Sequence, residues 1–294
     1  MAAGSDPRVS VIVGTRNRPD HIARCLPTIL ANEGTSAEIL VADQSTDTST
    51  AHVIEAIGDP RVNLIRLVTP GKSRALNAAL ANCRADIIAF TDDDCTVPPD
   101  WLVRALTTIG REPSAGIVFG GLAAVPHDST IEFVPTFLPP KYAVLSSTTR
   151  VHQAGVGANM VVRRAVFERI GAFDEQLGPG ALFRSAEECD IAYRALAAGF
   201  TIVQDPSNVV LHWGTRSFGD GSVRRLIVDN YYGIGAFYAG HARRGRVPAI
   251  AALAQEIAAL SAHVVANGLG ARKPTGLRRL VSLLHGAAAR ATTP

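Results

Sequence analysis

Three consecutive carboxylates, Asp92, Asp93 and Asp94, directly follow the apolar residues 87–90. Consecutive carboxylates repel one another, so holding them together in a folded chain favours a bound cation. Oxygen ligands of this kind suit Mg²⁺ or Mn²⁺, which proteins bind through one or two carboxylates together with substrate phosphates. The alternative is a solvated Asp-rich turn before a helix that begins at Trp101. The position directly after an apolar strand favours the metal site.

Two further carboxylates, Glu187 and Glu188, begin a predicted helix just after the glycine-containing residues 178–180. One of these glutamates is a candidate general base, and the glycines would let an acceptor molecule approach it. The alternative role is structural, because the helix dipole favours acidic residues in a first turn. Asp190 and Arg194 are also spaced to form an ion pair along the same helix. The residue types alone leave both interpretations open.

Two single residues also follow apolar segments. His212 comes after residues 209–211, and it is a candidate ligand if that strand returns to the aspartates; a lone histidine more often has a structural role. Asp43 follows residues 38–42, and its carboxylate either forms an Asx turn or accepts a hydrogen bond from a nucleobase N–H.

Alternating strands and helices in the first half of the chain must position these side chains. The predicted strands cover residues 9–13, 38–42, 62–67 and 86–90, and the predicted helices begin near Pro19, near Asp47 and at Ser73. This βαβαβαβ order predicts an α/β fold with a mostly parallel sheet and helices on both faces. Such sheets bind ligands beyond the carboxyl ends of their strands. Residues 14–16, Asp43 and residues 92–94 are therefore expected on one rim.

The second half of the chain is less regular. We predict strands over residues 115–124, 156–162, 201–203 and 209–211, a short helix ending at Ile170, a helix over 187–198, and helices after Gly219. Residues 126–149 are proline-rich and irregular, which is typical of a lid or a binding loop. The expected division is an α/β domain over residues 1–218 and a helical C-terminal extension over residues 219–294.

The composition is that of a globular protein, with 294 residues, 47% of them hydrophobic and 19% charged. A net charge of only +3 argues against a nucleic-acid partner. The cysteines are widely spaced, without a CxxC pair, so a zinc site is not expected. They are Cys25, Cys83, Cys95 and Cys189. Free thiols, and a polar N-terminus without a signal peptide, favour a cytoplasmic location.

Basic residues are concentrated in the last quarter of the chain. They include Arg224, Arg225, Arg243, Arg244, Arg246, Arg272, Lys273, Arg278 and Arg279. These residues form either a solvated helical face or a peripheral contact with the inner face of an anionic membrane. Residues 248–270 are apolar but contain Gln255, Glu256 and His263, which favours an amphipathic or buried helix over a membrane span.

Several segments resemble, in the same order, those of the family 2 glycosyltransferases with the GT-A fold. They are residues 9–19 (VSVIVGTRNRP), 43–49 (DQSTDTS, similar to DDGSxDxT), 71–77 (GKSRALN), 92–94 (DDD, similar to DxD), 171–175 (GAFDE, similar to GGFDE), 186–194 (AEECDIAYR, similar to GEDxDLxxR) and 206–212 (PSNVVLH, similar to PxxxVxH). Each match alone is weak, but the ordered set covers roughly residues 8–215 and is specific.

The resemblance implies roles for individual residues. By the resemblance, Thr15, Asp43, Arg74 and Asp92 would contact the donor, and Asp92, Asp94 and His212 would contact the metal. Further candidate donor contacts are Arg16, Asn17 and Asp93, which adjoin these residues, and Asn159, which precedes the second half of the site and is expected near the donor sugar or the acceptor. Glu188 stands at the position of the family's catalytic aspartate, with Glu187 as the alternative base. Glu188 is one methylene longer than aspartate, and Gln44 replaces a commoner second aspartate; both are departures from the family pattern.

The implied activity is inverting, metal-dependent transfer of a sugar by residues 1–218, assisted by a general base. The donor would be a UDP-, GDP- or dTDP-linked sugar, the metal Mn²⁺ or Mg²⁺, and the acceptor a hydroxyl of a glycan, a lipid or a small molecule. The alternatives are a retaining transferase, a sugar-1-phosphate nucleotidylyltransferase and a non-catalytic nucleotide-sugar-binding protein. A nucleotidylyltransferase is expected to have a glycine-rich basic loop near the N-terminus, of which only Arg16 and Arg18 are present.

Overall fold

The structure, a computed structural model, describes residues 6–267 and 276–293. Its strands are β1 Val9–Thr15, β2 Ala37–Asp43, β3 Val62–Arg66, β4 Ile87–Asp92, β5 Cys95–Thr96, β6 Ala115–Ala124, β7 Glu132–Phe133, β8 Ala143–Leu145, β9 Met160–Arg163, β10 Thr201–His212 and β11 Arg216–Ser217. Its helices are α1 Pro19–Leu30, α2 Ser49–Ile57, α3 Lys72–Leu80, α4 Trp101–Arg111, α5 Arg164–Ile170, α6 Glu187–Ala197, α7 Ser222–Arg243, α8 Val247–Asn267 and α9 Gly276–Thr292.

Nine of the strands in the described part of the chain form one sheet in the order β3-β2-β1-β4-β9-β6-β10-β5, with β8 also paired to β10. Strands β1 to β4 pair in parallel, as do β6 and β10, whereas β9 runs antiparallel between β4 and β6. The predicted mostly parallel α/β sheet is confirmed. The register places Thr15 opposite Asp43 and Gly14 opposite Asp92, so the predicted rim is formed.

Both faces of the sheet are covered, because alternate residues of each central strand enter two different hydrophobic cores. Ile12, Leu40 and Phe90 pack with α3, α5 and α6 on one face, while Val11 and Val41 pack with α1, α2 and α4 on the other. Burial on both faces explains why these strands are continuous apolar runs in the sequence.

Strand β10 is one strand, where two short strands were expected. Its register on β6 shifts between Asp205 and Val209, and the Asp205 carboxylate accepts a hydrogen bond from the backbone N–H of Ser207. A bulge of this kind interrupts the side-chain alternation while pairing continues on either side. The continuous strand delivers His212 to the carboxyl edge of the sheet, opposite Cys95 of β5.

Two predictions in the region between β6 and α5 need correction. The expected strand over residues 156–162 begins only at Met160, because Gly157–Asn159 form a 3-10 turn that directs Asn159 inward. The loop over residues 126–149 contains β7 and β8, which pair with β11 and β10.

The C-terminal helices pack on the α/β domain. Tyr232, Ala236 and Phe237 of α7 belong to the same buried core as the sheet residues, and the His241 imidazole lies 2.8 Å from the Asp190 carboxylate of α6. The boundary at residue 218 stays a prediction. By length and composition alone, α8 could cross a membrane. Of its most apolar segment, 22% is buried against the protein. Arg272 and Lys273 lie outside the described residues.

Candidate active site

An open cleft of about 500 Å³ lies at the carboxyl edge of the sheet. Its walls come from the end of β1, the turn after β4, the first turns of α3 and α6, the end of β10, and α7. The predicted site residues that line it are Thr15, Arg16, Asp92, Asp93, Asp94, Glu187, Glu188 and His212. Residues from both halves of the chain therefore meet in one cavity.

Asp93 joins the first strand to the aspartate turn. Its carboxylate accepts hydrogen bonds from the Thr15 hydroxyl (2.8 Å) and the Arg18 guanidinium (2.9 Å). Burial raises the pKa of Asp93, the Arg18 charge opposes this shift, and the neighbouring Asp94 adds to it. Asp93 thus has protein partners on both oxygens. The Arg18 guanidinium, which the sequence analysis left without a role, compensates the aspartate charge and lines the cleft.

Asp94 and His212 form a buried pair on the opposite side of that turn. The His212 Nδ1 atom lies 2.9 Å from the Pro135 carbonyl oxygen, which can only accept, so Nδ1 carries a proton. The Nε2 atom is left 3.3 Å from Asp94 Oδ1. Burial alone would raise the pKa of Asp94, but the His212 hydrogen bond and charge outweigh it and lower the pKa to about 2. Burial alone would lower the pKa of His212, but the Asp94 charge in turn raises it, so in the absence of a metal ion a proton lies between Nε2 and Asp94, and a cation could take its place.

The donor set around this pair fits a divalent metal ion. Ligand atoms of Asp94, Cys95 and His212 lie within 4.8 Å of one another. The space beside them exists because residue 214 is glycine: a Cβ atom there would lie 2.5 Å from Asp94 Oδ2 and 2.6 Å from His212 Nε2. The Asp94 carboxylate suits Mn²⁺ or Mg²⁺, and the His212 imidazole is a ligand that divalent transition metals accept.

The Gly214→Ala substitution tests this fit. The backbone of Gly214 is outside the left-handed region, so alanine is allowed there, but its methyl group would push the two candidate ligands apart. We expect the variant to fold and to lose the increase in melting temperature that Mn²⁺ produces in the unsubstituted chain. Gly110→Ala on α4, where no atom lies within 4 Å of an added Cβ, is the control. A full Mn²⁺ response in Gly214→Ala would exclude a metal ion between Asp94 and His212.

Lys72 connects the aspartate turn to the start of α6. Its ammonium lies 2.7 Å from Asp92 Oδ1 and 3.3 Å from Glu187 Oε1. Burial alone would lower the pKa of Lys72, but the charges of Asp92 and Glu187 outweigh it and raise the pKa. The lysine is therefore protonated and neutralises part of the carboxylate charge. Lys72 was not among the predicted site residues, although its place at the first position of α3, facing the rim, was a usable signal.

Glu187 and Glu188 differ in their surroundings. Glu187 is buried and held by Lys72, whereas Glu188 is half-buried and faces the cleft. Burial and the charge of Glu187 raise the pKa of Glu188 to about 8, even though Lys72 opposes the shift. A carboxylate with a pKa near the working pH is suited to accept a proton. Because Lys72 holds Glu187 and the pKa of Glu188 is raised, Glu188 is the better candidate for the base.

The other end of the rim lies between β1 and β2. Asp43 is fully buried, its Oδ1 accepts a hydrogen bond from the Ser45 N–H, and its Oδ2 lies 3.5 Å from Arg66 Nε in an ion pair. Asn17 adopts a left-handed backbone and accepts from the Thr46 N–H. Gln44 lines the cleft and donates to the Thr69 and Gly71 carbonyl groups. Asp43 and Asn17 thus shape the edge of the cleft without lining it.

Arg74 and Asn159 also lie outside the lining of the cleft. Arg74 points away and pairs with Glu175 (3.0 Å). The Asn159 side chain is 1% exposed; it accepts from Trp101 Nε1 (2.9 Å) and donates to the carbonyl groups of Gly121 (2.8 Å) and Asn208 (2.9 Å). All its hydrogen-bonding groups are used inside the protein, so the predicted donor contact is corrected to a structural role.

The Asn159→Ala substitution separates these two roles. It would leave the Trp101 N–H and two carbonyl groups unpaired in the interior, so we expect a loss of about 3 kcal/mol in the free energy of unfolding. The Michaelis constant for the donor should stay unchanged in the folded protein. Urea unfolding and donor kinetics measure the two effects. Unchanged stability with a raised Michaelis constant would instead show a substrate contact.

Comparisons with known proteins place this cleft in a family. Residues 10–171 match the model described as glycosyl transferase family 2. The succinoglycan biosynthesis protein ExoO of Rhizobium meliloti is 30% identical over 232 residues, which cover 75% of this chain and 64% of that protein. The glycosyltransferase AglE of Haloferax volcanii is 25% identical, covering 73% of this chain and 69% of that protein.

Solved structures share the fold. The mannosyltransferase PcManGT from Pyrobaculum calidifontis, in complex with GDP-Man and Mn²⁺, has a TM-score of 0.64 at 20% identity, covering 97% of this chain and 87% of that chain. S. aureus TarS 1-349 has a TM-score of 0.59 at 19% identity, covering 79% of this chain and 64% of that chain. The α/β architecture is thus that of the GT-A fold, and because the family model matches more than half of its residues, the chain belongs to glycosyl transferase family 2.

Proposed function

We propose that this chain transfers a sugar from a nucleotide-diphosphate donor to an acceptor hydroxyl, with inversion at the anomeric carbon and with a divalent metal ion. The observation that carries the proposal is the convergence of Asp92, Asp94, His212 and Glu188 on one cleft. These residues lie up to 120 positions apart in the sequence, and their charges and raised or lowered pKa values suit binding of a metal diphosphate and removal of a proton.

The donor is proposed to lie along the rim, with its base toward β2 and its diphosphate toward the aspartate turn. Asp43 is proposed to act from beneath the base end of the cleft, where its buried carboxylate pairs with Arg66 (3.5 Å) and accepts from the Ser45 N–H. Arg16 and Arg18 line the same rim and could contact the donor. Structural neighbours were solved with GDP-Man and Mn²⁺ or with UDP-GlcNAc. UDP-, GDP- and dTDP-sugars all remain candidate donors.

Asp94 and His212 would hold the metal ion, with Asp92 beside them. When bound there, a divalent cation supplies positive charge that stabilises the leaving diphosphate. Lys72 would add a further positive charge next to Asp92. The role of the protein at this end of the cleft is to fix these charges before the reaction, which avoids reorganisation during it.

Glu188 is proposed to take the proton from the acceptor hydroxyl. As the acceptor oxygen bonds to the anomeric carbon, the bond from that carbon to the diphosphate oxygen breaks on the opposite face, which gives inversion. The proton ends on Glu188 and is then released to water. Gly157 and Gly180 line the cleft, and at Gly157 an added Cβ atom would point to the glutamates, 3.9 Å from Glu188 Cβ, so the missing side chain leaves space there for the acceptor. Holding both substrates in line supplies a further part of the rate.

Incubation with each nucleotide sugar and Mn²⁺ tests the proposal. We expect release of the nucleoside diphosphate from one donor class, and a product whose anomeric configuration, measured by NMR, is opposite to that of the donor. Retention would indicate the retaining alternative. Pyrophosphate released from a nucleoside triphosphate and a sugar 1-phosphate would indicate a nucleotidylyltransferase. Binding without turnover of any donor, with or without candidate acceptors, would indicate a binding protein. The proposed location is the cytoplasm, in line with the buried free cysteines.

A further inference from the structure

The charge of the chain is divided unequally between its two parts. Residues 222–294 carry ten Lys and Arg against two Asp and Glu, whereas the residues before them carry 19 against 24. Of the two acidic residues of the basic part, Asp229 forms an ion pair with Arg184 (2.9 Å), and Glu256 is buried 3.4 Å from His152, whose pKa burial lowers to about 4. The C-terminal helices thus present positive charge that their own carboxylates do not compensate.

Helix α8 has two unlike faces. Its inner face packs on the protein through Ala249, Ala252, Glu256 and Leu260, which are spaced three or four residues apart. Its outer face includes Ile250 (50% exposed) and Val265 (86% exposed), with alanines between them. Exposed apolar surface of this extent on a helix marks a contact site.

The outer face of α8 contains no charged side chain. The helix has a single ionisable carboxylate, Glu256, and this residue is 7% exposed and turned toward His152 in the interior. An outer helix face in water usually carries Lys, Arg, Asp or Glu. The face therefore suits an apolar environment better than water.

Two arginines precede this face, and the neighbouring helix α9 exposes further apolar residues. Arg244 and Arg246 are exposed immediately before α8, where they extend into solvent. Helix α9, which packs against α8, exposes Leu277, Val281 and Leu284, which are four and three residues apart and so share one side. An apolar helix face bordered by arginines is the pattern of a helix that lies in the interface of an anionic bilayer.

We propose that the outer face of α8 lies flat in the surface of an anionic lipid bilayer, with Arg244 and Arg246 against the lipid headgroups. The inner residues Ala249, Glu256 and Leu260 remain packed on the protein, so the helix is embedded on one side and does not cross the membrane. Headgroup phosphates complement the positive charge, and the acyl chains take up Ile250 and Val265.

Co-sedimentation of the full chain with vesicles tests this inference. We expect binding to vesicles of phosphatidylcholine and phosphatidylglycerol in equal parts, weaker binding in high salt, and little binding to phosphatidylcholine alone. Arg244→Gln with Arg246→Gln should weaken the binding roughly thirty-fold, since each basic residue near the surface contributes about a factor of five. The matched control is Arg8→Gln with Arg169→Gln, which removes the same charge from exposed sites elsewhere.

A second pair of variants tests the apolar face. Ile250→Gln with Val265→Gln should weaken vesicle binding, whereas Val68→Gln with Val144→Gln, at exposed valines outside α8, should leave it unchanged. The inference is overturned if the full chain does not bind anionic vesicles, or if test and control variants bind equally. It is also overturned if analytical ultracentrifugation shows a dimer that only the α8 variants dissociate, because a second copy would then cover this face.

Discussion

Replacing Glu188 with glutamine is expected to lower the turnover number by about 10³-fold, the effect of removing a general base. Glutamine keeps the size and polarity of the side chain but cannot accept the acceptor proton. Initial rates of nucleoside-diphosphate release at saturating donor measure the loss. Glu168→Gln, at an exposed glutamate on α5, is the control and should keep full activity. If Glu188→Gln retained activity while Glu187→Gln lost it, the base would be Glu187.

The raised pKa of Glu188 predicts that kcat/KM depends on pH. Burial and the Glu187 charge raise the pKa of Glu188 from 4.5 to about 8, and the base acts only when ionised. The value of kcat/KM should therefore rise with pH and level off above about pH 8. The Glu188→Gln variant should lack this titration in its residual activity. A kcat/KM profile that is flat between pH 6 and 9 would contradict the assignment.

Stability provides a separate readout of the Glu188 environment. A carboxyl group with a raised pKa binds a proton more tightly in the folded state than in the unfolded state, so the folded chain loses stability as the pH rises from about 4.5 to 8. Glutamine does not ionise. The melting temperature of Glu188→Gln should exceed that of the unsubstituted chain at pH 8, and the difference should be smaller at pH 5. Such a gain would also show that the loss of activity is not caused by unfolding.

Asp94→Asn is expected to lower activity with Mn²⁺ by about 10³-fold, because a bound metal contributes several kcal/mol of transition-state stabilisation. Asparagine keeps the shape of the side chain but loses the charge that faces His212 and holds the cation. Activity measured across a range of Mn²⁺ concentrations should show weaker metal binding, with a higher half-saturating Mn²⁺ concentration in the variant.

The control for Asp94→Asn is Asp100→Asn. Asp100 is exposed, precedes α4 and pairs with Arg104, so its replacement should change neither activity nor metal dependence. Equal Mn²⁺ dependence in Asp94→Asn and the unsubstituted chain would mean that the metal site lies elsewhere.

The elements of the first half could be predicted because each strand is an apolar run bounded by turn residues. Parallel strands end on the same edge, so the rim that joins Thr15, Asp43 and Asp92 followed from strand order alone. The resemblance to the family then indicated that Glu188 and His212 belong to the same site, although no short-range sequence pattern connects them to that rim.

Other features depended on contacts that distant residues make. Lys72 and Arg18 have ordinary sequence surroundings, and only the folded chain brings their charges against Asp92 and Asp93. Asn159 was a candidate contact because it precedes the second half of the site in the sequence, yet three interior groups use its hydrogen bonds. The sequence predicted two short strands where the structure has the single strand β10. The irregular residues at the bulge interrupt the strand pattern in the sequence, but pairing with β6 continues on both sides of them.

The central claim is that this cleft binds a nucleotide sugar together with a divalent metal ion held by Asp94 and His212. Thermal unfolding of the full chain with UDP-, GDP- and dTDP-sugars, each with and without Mn²⁺, tests it most directly. We predict that one nucleotide class raises the melting temperature by several degrees, that Mn²⁺ enlarges the effect, and that Asp94→Asn abolishes the metal-dependent part. The claim is contradicted if no nucleotide sugar changes the melting temperature, or if Asp94→Asn responds to donor and Mn²⁺ as the unsubstituted chain does.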